Sequence, residues 1–214
     1  MLEVDTLTKY LGGRRILDAV SFSCAPSQVL AIVGPNGTGK STLLRIVAGV
    51  ILPDRGQVRV RGVSVSGDDP AGRRGIGYVP DATEVLPELL VCEFVNLVAA
   101  LKGVRDEGPR ARRQQLGLDE TWNQRLGTLS FGQRKRAFLL AALLGDPDVL
   151  VLDEPSNGID PEGIGLVGTI LRDHAHEGGA VLLSTNDMPF LTSLSATSMI
   201  LENGTLGAIS RNAR

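Results

Sequence analysis

Gln28-Val-Leu-Ala-Ile-Val33 followed by Gly34-Pro-Asn-Gly-Thr-Gly-Lys-Ser41 decides the fold. The first six residues read as a short buried strand. After the loop, Lys40, Leu43, Leu44 and Val47 fall at helical spacing, which predicts a helix from near Lys40 that stops before Pro53. The loop fits G-x-x-x-x-G-K-[ST] in its proper strand-to-helix setting. Its glycines let backbone N–H groups close around an anion, and the helix adds the positive end of its dipole. Gly34, Pro35, Asn36, Gly37, Thr38, Gly39, Lys40, Ser41 and Thr42 are therefore expected to hold a nucleotide's phosphates. Lys40 would bridge the β- and γ-phosphates, and Ser41 would ligate Mg²⁺. The loop alone suits a kinase, a GTPase or a motor equally.

A second segment, Val149-Leu-Val-Leu-Asp153-Glu154, narrows the choice. An all-apolar strand reads as buried on both faces and parallel, and it would deliver two carboxylates to the C-terminal edge of a sheet, where such folds bind ligands. Asp153 is expected to hold Mg²⁺ through a water, and Glu154 to take a proton from the attacking water. By themselves, two acids at a strand end are ordinary turn residues; the phosphate loop gives them their meaning.

Around these segments the chain alternates strands and helices. Leu2, Val4 and Thr6, and later Val58 to Arg61, alternate apolar with polar residues as strands do. Ala137 to Leu144 is apolar on every face and reads as a buried helix closed by Gly145 and Pro147. Pro161 to Glu177 reads as a helix, Ala180 to Thr185 as a buried strand, and Asn203-Gly204 as a hairpin turn. From about Glu84 to Gly127 the pattern is helical and Arg-rich, punctuated by Gly103, Gly108-Pro109 and Gly117. The expected fold is α/β. It has a mostly parallel core, an antiparallel portion near the N-terminus and a helical insertion between about residues 82 and 128, or to 147 with the buried helix counted.

The 214 residues are 43% hydrophobic and 21% charged, the balance of a globular protein. Ala19 to Gly39 carries no charge, but its three serines, two prolines and three glycines rule out a membrane span there. Met-Leu-Glu-Val-Asp is unlike a signal peptide, and Cys24 and Cys92 form no CxxC, so the cytoplasm is expected. A net charge of −2 argues against a nucleic-acid partner. The charge is uneven, however. Leu101 to Arg136 holds nine basic and four acidic residues, which reads either as a solvated helical face or as contact with phosphate or an anionic membrane.

Leu129-Ser-Phe-Gly-Gln-Arg134 resembles the signature segment of ATP-binding cassette (ABC) proteins, Leu-Ser-Gly-Gly-Gln, and Ser130 stands 23 residues before Asp153 as in that family. Tyr10 stands where the family has its adenine-stacking aromatic, Pro155-Ser-Asn-Gly-Ile-Asp160 resembles its D-loop, and Ser184-Thr-Asn-Asp187 its switch segment. Ser130 also precedes a helix, so its hydroxyl and the first-turn N–H groups can form an anion site; an ordinary N-cap would use the same serine. The resemblance implies an ATP-binding and ATP-hydrolysing subunit with ATP and Mg²⁺. Ser130, Gly132 and Gln133 would close over nucleotide held by a second ATPase subunit in a head-to-tail dimer. It also implies a separate membrane permease, which would keep the chain on the cytoplasmic face of the membrane.

Three positions depart from the family pattern. Asp81 replaces a Gln that touches Mg²⁺ and the attacking water; a carboxylate still ligates the ion but brings a negative charge. Asn186 replaces the switch His and can donate to a γ-phosphate without carrying a charge. Phe131 replaces a signature Gly, with packing against a partner as its expected role. Leu86, Leu89, Leu90 and Phe94 would either line the permease's docking groove or form plain helix core. The acid at 81 and the lack of a C-terminal regulatory domain in these residues lean the expectation toward export. A catalytically slow pairing or regulatory subunit of an asymmetric dimer is the alternative, supported by Asn186. ABC-type ATPases of DNA repair or translation usually carry coiled coils or tandem cassettes, and these residues hold neither.

Overall fold

The computed structural model describes residues 1–65, 71–83, 86–104 and 110–211. The chain opens with β1 (Leu2–Leu11) and β2 (Arg14–Cys24), then β3 (Val29–Val33) and α1 (Lys40–Val47). β4 (Arg55–Val60), β5 (Val63–Ser64), the short α2 (Ala71–Arg74) and β6 (Ile76–Val79) follow. Helices α3 (Val91–Lys102), α4 (Arg110–Gln115) and α5 (Phe131–Leu143) precede β7 (Val149–Asp153), α6 (Pro161–His176) and β8 (Ala180–Ser184). The chain closes with α7 (Met188–Ser193) and the hairpin of β9 (Thr197–Glu202) and β10 (Thr205–Arg211).

Two sheets form. The first, in order β2-β1-β4-β5, is antiparallel throughout. The second, in order β10-β9-β3-β8-β7-β6, is parallel except at β10. Asn203 and Gly204 both take positive φ, 50° and 80°, as a two-residue hairpin turn requires. Strands β7 and β8 are apolar up to their last residue, Asp153 and Ser184, because both faces are covered. In β7, Val149 and Val151 join the core shared with α1 and the antiparallel sheet, while Leu150 and Leu152 join the core under α3, α5 and α6. In β8, Ala180 and Leu182 divide from Val181 and Leu183 in the same way. Parallel alignment also brings the C-terminal ends of β3, β6, β7 and β8 to one edge, and the site lies there.

Three expectations are refined. The buried helix starts at Phe131, directly after Ser130, and so extends N-terminally beyond its all-apolar stretch from Ala137, because Ser130 and Gln133 form a capping box there. Part of the basic run is turned inward rather than forming one solvated face: Arg110 and Arg125 are exposed, but several of the other cations are internal clips. Lys102 Nζ donates to the Ala142 and Leu144 carbonyls, 2.9 and 3.0 Å, at the C-terminus of α5. Arg112 meets Asp146 at 3.0 Å and Glu177 at 3.6 Å, Arg136 donates to Leu116 O, and Arg113 meets Asp119 and lies 4.6 Å over Trp122. Of the residues Leu86, Leu89, Leu90 and Phe94, Phe94 is core, its ring 4.6 Å from that of Phe138, while Leu86 is exposed. Glu84, Arg105 and Gly108-Pro109 lie outside the described residues. Among the described residues no helix is long and apolar enough to cross a membrane.

Candidate functional site

The loop between β3 and α1 is pressed from two sides, which is why glycine stands where it does. Gly34 has φ 148°, and a Cβ there would strike the carbonyl of Leu201 in β9. Gly39, the N-cap of α1, has φ 105°, and its Cβ would lie 2.8 Å from Ile16 Cγ2 in β2. Thr38 Oγ1 donates to Pro35 O at 2.9 Å and closes the turn. Lys40 is 7% exposed, and its Nζ donates to Gly34 O and Pro35 O, 2.6 and 3.2 Å. These are carbonyl partners that an arriving phosphate can displace.

The loop opens onto a cavity of about 590 Å³. Asn36, Gly37, Gly39, Lys40, Ser41 and Thr42 form one wall; Asp81, Glu154, Asn157 and Asn186 face them, and Ile16 adds an apolar edge. Gly34, Pro35 and Thr38, also expected at the phosphates, belong to the same loop but do not line the cavity. Asp153, 1% exposed, lies beneath the cavity wall, and Ser184 Oγ donates to its Oδ1 at 2.6 Å. Glu154 holds a left-handed backbone, φ 46°, a costly conformation for a side chain with a Cβ. Its N–H donates to Ser184 O and Ser184 Oγ, 3.0 and 3.2 Å. Burial raises the proton affinity of the Glu154 carboxyl above the ordinary glutamate value, and the charge of Lys40 opposes this; a raised affinity suits a proton acceptor.

Asn186 Oδ1 accepts from the N–H of Gly34 at 3.3 Å. That contact fixes the orientation of the amide and leaves its NH₂ to donate. Asp81 accepts from Asn157 Nδ2 at 3.4 Å and lies 3.7 Å from Lys135 Nζ. No three His, Cys, Asp or Glu side chains converge on a metal cage among the described residues. A hard divalent cation fits nonetheless. The cavity wall offers oxygen donors at Ser41 and Asp81, and Lys40 is the one cation in that wall to meet a polyanionic ligand, which therefore needs extra positive charge.

Two parts of the expected site stand apart from this cavity. Tyr10 is 47% exposed and does not line it; its N–H donates to Asp54 Oδ2 at 2.6 Å. Ser130, Gly132 and Gln133 do not line it either. Ser130 Oγ accepts from Gln133 N at 3.2 Å and Gln133 Oε1 from Ser130 N at 2.9 Å, the ordinary N-cap the sequence also allowed. Phe131 packs within its own chain: a Cβ on Gly158 would lie 2.7 Å from its ring. The sequence reading missed Ile16 and Lys135, and it gave Asn157 no role beyond its place in the Pro155–Asp160 segment. Lys135 had one signal, a lysine on the apolar helix, which charge counting absorbed.

The family model for ABC transporter matches residues 17–157. A Nod factor export ATP-binding protein I of Rhizobium etli is 32% identical over 207 residues, which cover 95% of this chain and 66% of that protein. The chain thus spans just under two thirds of that relative's length. A solved ATP-binding subunit of an ABC transporter superposes with a TM-score of 0.91 at 24% identity, covering 99% of this chain and 90% of that one. A dimeric post-hydrolysis ATP-binding cassette bound to ADP and Pi gives 0.84 at 23% identity, covering 100% of both. With the phosphate loop and the paired carboxylates on one sheet edge and the signature capping a neighbouring helix, the chain belongs to the ABC transporter family, as an ATP-binding cassette.

Proposed function

We propose that this chain binds Mg²⁺-ATP, hydrolyses it, and powers a separate membrane permease in the direction of export. The observation that carries the reading is the convergence of Lys40, Ser41 and Glu154 on one cavity while the signature serine lies outside it. Half of an ATP site is then present on each of two faces of the chain, and a second ATPase subunit, identical or related, completes both. The dimeric cassette with ADP and Pi supports this arrangement. Residues 82–147 act in this reading as the inserted helical subdomain, within a single domain of residues 1–214. Tyr10 flanks the adenine, and the permease holds the assembly at the cytoplasmic face.

Ser41 and Asp81 would ligate Mg²⁺ directly and Asp153 through a water; the ion supplies charge neutralisation on the phosphates. Lys40 exchanges its loop carbonyls for β- and γ-phosphate oxygens. Glu154 takes a proton from water as the water oxygen bonds to the γ-phosphorus and the bond to the β-phosphate oxygen breaks. The Asn186 NH₂ donates to the γ-phosphate. The slow pairing-subunit alternative is not favoured, since Glu154 stands in the cavity wall.

Steady-state hydrolysis by the purified chain tests the reading. Activity should vanish in Lys40→Ala together with tight ATP binding, and in Glu154→Gln with binding retained. Glu154→Gln should dimerise with ATP by light scattering. A wild type that binds no ATP, or a Glu154→Gln protein that stays monomeric with ATP, overturns it.

A further inference from the structure

Two of the three departures from the family pattern meet at one buried cation. Lys135, in the second turn of α5, is 3% exposed. Its Nζ donates to the carbonyl of Glu154 and, at 3.2 Å, to that of Asn157. It also lies 3.7 Å from Asp81 Oδ1 and 5.1 Å from the ring centre of Phe131. Phe131 in turn rests on Gly158, whose φ of 68° and lack of a Cβ let the ring approach. Asn157 closes the circuit, with its N–H on Glu154 O at 3.1 Å and its Nδ2 on Asp81 Oδ1 at 3.4 Å.

We propose that Lys135 is a positioning residue that neutralises Asp81 and fixes the backbone from Glu154 to Asn157, thereby joining the nucleotide cavity to the signature helix of the same chain. The inference rests on the ATP reading above. An acid at position 81 places a negative charge beside a triphosphate, and an uncompensated charge there repels the ligand. Lys135 supplies the compensation from behind, with its ammonium divided between a carboxylate, two carbonyls and an aromatic face. The Phe131 ring lies over that ammonium, a role that a glycine at 131 does not fill. Asp81, Phe131 and Lys135 thus form one unit.

Because Lys135 has two kinds of partner, its removal should split into two effects. Lys135→Met frees the Asp81 charge and should weaken ATP affinity about tenfold, the scale of one coupling between neighbouring sites. It also releases the Glu154 carbonyl and should lower kcat. In an Asp81→Asn background the affinity loss should disappear while the loss in kcat stays. Lys135→Arg keeps the charge without the compact donor, so it should restore affinity and leave kcat reduced.

The experiment is a double-mutant cycle on the full chain, with binding of a fluorescent ATP analogue read separately from steady-state kcat. Amide hydrogen exchange at Asn157 in nucleotide-free protein is the third readout; Lys135→Met should speed it. Equal affinity losses in the Asp81 and Asp81→Asn backgrounds, or no affinity loss in either, would overturn the proposal. So would unchanged exchange at Asn157. If the wild type neither binds nor hydrolyses ATP, the ATP reading fails on that measurement, and exchange at Asn157 still decides the backbone role of Lys135.

Discussion

Ser184 Oγ donates a 2.6 Å hydrogen bond to Asp153 Oδ1, and the carbonyl of the same serine accepts the N–H of Glu154 at 3.0 Å. One residue at the end of β8 thus orients both acids at the end of β7. It can do so because parallel pairing sets Ser184 directly opposite Asp153. The hydroxyl satisfies a carboxylate only 1% exposed, and it lets Glu154 hold its left-handed backbone with a fixed N–H.

Ser184→Ala should therefore damage stability and chemistry together. Removing a donor from a buried charged acceptor costs about 1 to 3 kcal/mol, and each kcal/mol lowers the Tm of a domain this size by about 2 to 4 °C. Hydrolysis should require more Mg²⁺ for half-maximal rate, because the orientation of Asp153 is released. Ser184→Thr, which keeps the hydroxyl, should recover most of both. Thermal melts and Mg²⁺ titrations of ATPase activity check this; an alanine variant that melts and titrates like wild type would show that the hydroxyl is dispensable.

His174 predicts an acid-sensitive stability. It is 7% exposed on α6, its Nε2 has no hydrogen-bond partner among the described residues, and a Cβ on Gly179 would collide with the ring. Burial, helped by Arg112, lowers its pKa below the ordinary 6.5, against the opposing charges of Glu177 and Asp146. The unfolded chain then binds the proton more readily than the folded one. Stability is complete above about pH 6.5 and falls as pH drops toward the folded pKa. The Tm should decline as the pH is lowered below about 6.5. His174→Leu should flatten that decline; an identical pH slope in wild type and variant would assign the sensitivity elsewhere.

What the sequence made legible follows from where local pattern and tertiary need coincide. Val149 to Leu152 reads as a doubly buried strand because both of its faces are core, and Lys40 to Val47 as a helix because its apolar spacing is uninterrupted. Asn203-Gly204 reads as a hairpin because its two positive φ values are local. The phosphate loop is legible for the same reason: its chemistry lies in consecutive residues. Lys135 was not legible, since its partners Asp81, Glu154 and Asn157 come from elements far apart in sequence. Nor was the fate of Arg112 and Arg136 in the basic run, whose partners are fixed by the packing of α4 and α5 against other elements. Ile16, which lines the cavity, lies at a register shift between β1 and β2 that the alternation of the sequence does not show.

The last prediction concerns Asn186, whose Oδ1 is already occupied by the Gly34 N–H at 3.3 Å. Its NH₂ is the group left to face a γ-phosphate, a neutral donor where the family pattern has an imidazole. A charge-assisted hydrogen bond contributes about 1.5 to 3 kcal/mol, so its absence from the transition state slows hydrolysis roughly ten- to a hundredfold. Asn186→His should raise kcat by up to that factor, and Asn186→Ala should lower it. The effect should appear in kcat and kcat/KM together, with ATP affinity nearly unchanged, because the interaction strengthens as charge develops on the transferring phosphoryl group. Hydrolysis at saturating ATP, alongside equilibrium binding in Glu154→Gln backgrounds, separates the two quantities. Should Asn186→His leave kcat unchanged or lower it while Asn186→Ala still reduces it, the neutral amide is the donor this site is built around. Asn186, Gly34 and Asp81 would then position the water as a set of their own, and the slower-than-histidine reading would be wrong.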